Sequence, residues 1–402
     1  MKEKIVKYLE YITEYSFYSL IFFTPISIAA IEISTTLIII SFYLKKTYKH
    51  DYKLLFKSFN LFLMLFYIFS GLSLFNSGSY LTKSLWALFF KWGKYLLIFI
   101  IAQDFFSNSR LIRNASVIFL FTGLLLGIDG IFQHTFGIDF IRHKSIMLRP
   151  EFSLIKVNAV RATFQHYNDF GAYLVIAISF IISLSLSERI KRIYRWILFF
   201  SGIVLGICLL LTLSRGSWLS FMAAIALMMF LSNKAKKIIP LTAIILIILF
   251  LAIPEFRMMG AFTFGPSGDM DRFKVWQTAF AMIKDHPILG QGIGTFMANF
   301  RKYMPNLIIQ YAHNCFLQIW AETGIFSLLS FLGFLVLLFS EWIKAFNKNH
   351  NLLILGLLCG IFGFLVHSFF DTDLYSLQLS VLFWFTVGLT TAVAKLEKKL
   401  EI

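Results

Sequence analysis

Cysteine is scarce in this chain: three residues in 402, two of them (Cys208 and Cys359) inside apolar runs. No pair reads as a disulfide framework, and no CxxC or His-Cys cluster suggests a bound metal. Charge is scarce as well. Only 14% of residues are charged, and acids number 21 against 37 bases, too few and too scattered outside the apolar runs for a Mg²⁺ site. No stripe of bases interleaved with aromatics occupies a soluble stretch, so nucleic acid is excluded as a partner. No repeat of fixed period is present, and no small-residue cleavage site follows the three N-terminal lysines, which makes that end a retained anchor.

What the chain has instead is apolar length. With 58% hydrophobic residues and a mean hydropathy of +0.76, it holds more apolar surface than one soluble core could hide. The runs 57–75, 114–133, 168–187, 194–212, 215–232, 236–253, 315–340, 352–368 and 377–394 suit helices crossing about 30 Å of hydrocarbon. The stretch 16–45 is too long for one span and is interrupted by Pro25 and Glu32, which predicts two packed helices. With 85–103 the expectation is an all-α polytopic bundle of about twelve transmembrane helices.

Basic residues orient it. Lys2, Lys4 and Lys7, the 45–57 lysines, Arg110 and Arg113, the 189–195 cluster, the 234–237 lysines, Lys344 and Lys348, and Lys395, Lys398 and Lys399 all fall on one side of a twelve-span arrangement. The positive-inside rule then puts both termini in the cytoplasm and the segments 134–167 and 254–312 outside. The net charge of +16 is mostly anchoring beside anionic membrane lipids.

Polar residues that anchoring does not explain gather on the outer side. The loop 134–167 carries Arg142, His143, Lys144, Arg149 and Lys156, then Arg161 and, at its end, Asn168. In the mainly helical loop 254–312, the stretch from Met270 to Lys284 reads as an amphipathic helix. Trp276, Ala279, Phe280 and Ile283 form its apolar face, and Arg272 lies in its first turn. Gly290, Gly292 and Gly294 follow; with no strand before them they are no nucleotide cradle, and are expected to let the backbone turn closely against the membrane. Arg215 occupies a tight outer connection, where an ionisable group at a membrane edge points to function. Lys91 and Lys94 lie within an apolar span and need either a cavity or a route to the interface.

Four blocks then stand in order. Leu-Ser-Arg215-Gly comes first, and Asp271-Arg272-x-x-x-Trp276 leads to Asp285-His-Pro287-x-x-Gly290-x-Gly292. His313-Asn314-x-x-Leu-Gln318-x-x-x-Glu322-x-Gly324 and His367-Ser-x-x-Asp371-x-Asp373 follow. In order and spacing they resemble the signature of the O-antigen ligase and polymerase superfamily over about residues 160–380. The N-terminal third is similar only in hydropathy, Thr372 stands where an apolar residue is common, and the 254–312 loop is short.

The resemblance implies a GT-C-like membrane glycosyltransferase acting at the periplasmic face of a bacterial inner membrane. Its donor would be a polyprenyl-diphosphate-linked glycan, and its acceptor lipid A-core for a ligase or another lipid-linked repeat unit for a polymerase. His313 then corresponds to the catalytic base and Arg215 and Arg272 to the diphosphate clamp, with no cofactor and no metal required. Arg161, Asn168, Asn314 and Asp371 complete the candidate substrate-binding set, and Glu322 reads as structural. A glycolipid transporter is the alternative of another class. It would spread charges through the membrane depth and show repeat symmetry, whereas here polar groups collect at the outer edge.

Overall fold

The computed structural model describes residues 2–50, 58–148, 158–236, 270–305 and 311–399. The expected span 236–253 and the cations Arg149 and Lys156 lie outside the described residues, apart from position 236 itself. Apart from one two-stranded ribbon, the regular structure among the described residues is helical.

Among the described residues, eight helical stretches are long and apolar enough to cross a membrane, and two shorter apolar helices, Arg215–Leu231 and Leu352–His367, join them. The chain is a multi-pass membrane protein. The full twelve spans are not reached among the described residues, in part because the first helix carries Lys7, Glu10 and Glu14 along its length.

Helices α1 (Lys2–Phe23) and α2 (Ile28–Lys49) form the expected pair from 16–45, with α1 starting well before that stretch. The break falls at Pro25, which has no N–H to continue a helix, and Ser27 caps α2 through Ala30 N at 3.3 Å. Glu32 does not interrupt anything. It lies within α2 and is neutralised by Lys94, 2.6 Å away, so a charge that looked like a helix break is a paired one.

After α3 (Ser58–Leu72) comes a short α4 (Leu81–Trp86), a π-helical turn over Ala87–Gly93, and α5 (Lys94–Phe105). Helix α6 (Ser109–Phe136) ends at Gly137 and is followed by the ribbon of β1 (Met147–Leu148) and β2 (Asn158–Ala159). Then come α7 (Tyr167–Ser185), α8 (Arg192–Leu211) and α9 (Arg215–Leu231). The segment 254–312 contributes α10 (Met270–Asp285) and α11 (Phe296–Tyr303). Helices α12 (Cys315–Asn349), α13 (Leu352–His367) and α14 (Leu377–Lys399) complete the bundle.

Helices α7 and α14 are buried along nearly their whole length and form the centre. With no water to expel, tight backbone approach holds such helices together. Gly356 and Gly360 of α13 sit so close to α7 that an added Cβ would come within 2.9 Å of Phe180 Cα and of Ile176 Cα. Gly363 does the same between Val175 of α7 and Ala224 of α9. Small hydroxyls bridge other pairs, as Ser70 does with Ser327 (2.9 Å) between α3 and α12.

Helix α10 caps the bundle rather than lying flat beside it. Its covered face is Val275, Ala279, Met282 and Ile283, packed against Phe296 and Phe300 of α11 and Ala321 of α12. Phe280, expected on that face, is 52% exposed: with packing on α11 and α12 the covered stripe rotates toward Val275 and Met282. The glycine loop after α10 turns against α12, not the membrane. Gln291 N and Gly292 N donate to Ala321 O and Glu322 O (both 2.9 Å), and Ile325 N donates to Pro287 O (3.0 Å). Gly324, at φ 83°, breaks α12 there, and a Cβ on it would stand 1.9 Å from Ile288 O.

Candidate functional site

Three helix N-termini and one C-terminus meet at one place. His166, Ser214 and Asn314 cap α7, α9 and α12, and His367 lies in the last turn of α13. Each N-terminus brings the positive end of a helix dipole to the junction, a field that favours an anion.

His313 immediately precedes the cap Asn314, as Leu213 precedes the cap Ser214. Both hold left-handed backbone, at φ 49° and 54°. Residues other than glycine in that region are uncommon and cluster at functional sites. The Ala312 peptide beside His313 is clamped from two sides: its carbonyl accepts from the Trp276 indole (3.1 Å) and its N–H donates to Gln318 Oε1 (3.0 Å).

The imidazole itself is 38% exposed, and its Nδ1 lies 3.3 Å from Asp371 Oδ1. An ionised carboxylate only accepts, so Nδ1 carries the proton in this pair and Nε2 is the basic nitrogen. Burial alone pushes the Asp371 carboxyl up, but the hydrogen bond and charge of His313, the charge of His367 and the Thr372 N–H outweigh it and hold Asp371 well below the usual carboxylate range.

Asp371 is fixed in turn. Its Oδ2 accepts from Asn168 Nδ2 (2.7 Å), whose Oδ1 accepts from Ser214 Oγ (2.7 Å). Ser217 Oγ donates to Ser214 Oγ (2.8 Å) and lies 3.1 Å from His367 Nε2. The far nitrogen of His367, Nδ1, is 2.9 Å from Asp373, which also accepts from Ser368 Oγ (2.8 Å). Burial, with the neighbouring Asp371 charge, pushes Asp373 up against the opposing pull of His367. A continuous chain of side chains thus joins α7, α9, α13 and the 368–376 turn behind His313.

Arg215 is the first residue of α9, next to Ser214, and is half-buried. Gly216 beside it lies against the His367 ring, where a Cβ would be 3.6 Å from Nε2. Arg272 is half-buried in the first turn of α10, four residues before the Trp276 that holds Ala312. The structure therefore gathers His313, Asp371 and Asn168 directly, and connects Arg215 and Arg272 to them through neighbours one residue and one helical turn away.

The other candidates spend their side chains locally. Asn314 Oδ1 accepts from Phe316 N and Leu317 N (both 3.0 Å) as the cap of α12. Arg161 donates Nε to Ser145 O (3.0 Å) and Nη1 to Gln165 O (2.9 Å), clipping the ribbon to the start of α7. Close by, burial and the charges of Arg142 and Arg161 lower Lys144 to about 8. Glu322 accepts from Gly294 N (2.8 Å), Phe296 N (3.1 Å) and Tyr375 Oη (3.2 Å), tying α12 to the glycine loop and the 368–376 turn.

Ser214 and Ser217 belong to the hydrogen-bonded chain at the site although neither carries a chemical signature in the sequence. Their signal is positional: serines three apart at the start of an apolar run are helix-capping residues, and here the cap also carries the site.

Residues 200–332 match the model of a family described as O-antigen ligase. That interval is about a third of the chain and contains Ser214, Arg215, Arg272 and His313, while Asn168 and Asp371 fall outside it. A comparison with curated proteins gives no match. The motif blocks and the family match thus support the same O-antigen ligase and polymerase superfamily.

Proposed function

We propose that this chain, with its O-antigen ligase-family region, is a glycosyltransferase. It moves a glycan from a polyprenyl-diphosphate carrier to lipid A-core at the periplasmic face of a bacterial inner membrane, with both termini in the cytoplasm. The observation that carries the reading is the His313–Asp371 pair, held by Asn168 and Ser214 next to Arg215.

His313 Nε2 removes the proton from the attacking acceptor hydroxyl, and Asp371 stabilises the imidazolium that forms. The acceptor oxygen bonds to the anomeric carbon as the bond from that carbon to the diphosphate oxygen breaks, and the carrier departs as its diphosphate. Direct displacement inverts the anomeric centre. Arg215 and Arg272 stabilise the charge growing on the leaving group, since guanidinium pairs with phosphate oxygens bidentately and keeps its charge. The three helix N-termini add to that field. Guanidinium stabilisation of this kind requires no metal.

The test is a strain lacking this chain, complemented with wild type or with His313→Ala. A folded, membrane-inserted variant is expected to leave lipopolysaccharide ladders absent; a normal ladder removes the assignment. In the deletion strain, polymerised glycan left on the carrier supports the ligase. Core capped with single repeats would instead make the chain a polymerase.

A further inference from the structure

Lys91 is a cation that the proposed chemistry does not yet use. It lies in a candidate membrane span, on the π-helical turn Ala87–Gly93 that separates α4 from α5. A cation at membrane depth is costly unless something offsets it, and single π turns inside longer helices recur at functional positions.

Its neighbour three residues on shows the ordinary solution: Lys94 is paired with Glu32 at 2.6 Å. Lys91 has no such partner. Among the described residues no carboxylate lies within ion-pairing distance of its Nζ, and no hydrogen bond holds it. Instead Nζ sits 5.3 Å above the Tyr375 ring. The acid whose charge it feels, Glu322, has its oxygens taken by two backbone N–H groups, the Gln318 amide and the Tyr375 hydroxyl.

The ring beneath Lys91 belongs to the site. Tyr375 follows Asp371 by four residues, and its ring lies 6.4 Å from that of Tyr311, two residues before His313. Lys91 therefore presents an uncommitted ammonium to the inner side of the loop that carries His313, reached from α4–α5, a part of the chain that supplies no other site residue.

We infer that Lys91 binds the diphosphate of the lipid-linked donor as a third cation beside Arg215 and Arg272. The inference rests on the proposed transferase reading. A compact ammonium on a flexible stem complements two planar guanidinium forks around the phosphate oxygens. The ring holds the ammonium at a modest energetic advantage until the anion arrives.

The experiment uses the full chain in detergent, with farnesyl diphosphate as probe and titrations of wild type, Lys91→Gln and Lys91→Arg. Lys91→Gln is expected to weaken probe binding about tenfold or more, and Lys91→Arg to retain it within about threefold. In turnover, Lys91→Gln raises KM for the donor more than it lowers kcat. Acetylation footprinting on wild type gives a second readout that needs no variant: the probe protects Lys91.

Full binding by Lys91→Gln together with an unprotected Lys91, while wild type binds the probe, overturns this inference and leaves the transferase reading standing. Absence of probe binding by wild type overturns both. Equal displacement of the probe by phosphatidylglycerol would make the site a headgroup site and likewise overturn the inference.

Discussion

Asn168 and Asp371 stand 203 positions apart and share a 2.7 Å hydrogen bond from Nδ2 to Oδ2, which aims the carboxylate at His313. Only an amide can serve there, because Asn168 also accepts from Ser214 at its other end. Asn168→Asp keeps the shape but sets two carboxylates face to face. It is expected to lower glycan transfer about a hundredfold and to be no better than Asn168→Ala, since misaiming a catalytic group by about 1 Å costs that much. Transfer by membranes carrying each variant at equal protein level checks this; an active Asn168→Asp would mean that volume, not the donor, matters.

The pH dependence of turnover follows from the same carboxylate. Because Asp371 is held well below the ordinary carboxylate range, it stays ionised at every working pH. Its contribution to stability is complete above about pH 4 and is lost only as the medium acidifies below that. Asp371 therefore causes no acid loss of rate above about pH 5. In Asp371→Asn the counter-charge for the imidazolium formed during transfer is gone, so turnover should fall about a hundredfold or more. An Asp371→Asn rate within about threefold of wild type would show that Asp371 does not act on His313. His313→Ala should cost about 10²- to 10⁴-fold at all pH values.

How much of this was legible follows from what local pattern can carry. Apolar runs and basic flanks announced the helices, and the order of four motif blocks announced the family. Pairings such as Asn168 with Asp371 have no local signal. The continuous run from Cys315 to Asn349 hid the break at Gly324, because the loop that fills it comes from Pro287 to Gly294, some thirty residues earlier. Phe280 fits the apolar stripe of an isolated helix, but neighbours on α11 and α12 select which side of α10 is covered. Glu32 looked like an interruption until Lys94 supplied its partner from another helix.

Gly324 and Gly290 interlock α12 with the 286–295 loop. A Cβ on Gly290 would lie 2.3 Å from Glu322 C, and one on Gly324 1.9 Å from Ile288 O; both residues have positive φ. Neither contact involves a flexible side-chain end, so the backbones must separate. Gly324→Ala and Gly290→Ala are each expected to destabilise by about 2 kcal/mol or more, beyond the cost of left-handed backbone alone. Thermal unfolding of the purified variants measures it. A melting temperature within about 1 °C of wild type for Gly324→Ala would refute the interlock.

The three arginines differ in where they stand. Arg161 spends Nε and Nη1 on the carbonyls of Ser145 and Gln165, which makes it first a clip between the ribbon and α7. Arg215 and Arg272 sit at the starts of α9 and α10, next to the residues that fix Asn168 and Ala312. A lysine keeps the charge but loses the two-pronged grip on phosphate. Arg215→Lys and Arg272→Lys should therefore each lower kcat about tenfold or more with little change in melting temperature, a loss of transition-state stabilisation. Arg161→Lys should lower the melting temperature and change kcat less than threefold. Kinetics and unfolding measured side by side on the three variants decide the matter: a kcat loss in Arg161→Lys as large as in the other two would put Arg161 in the clamp as well.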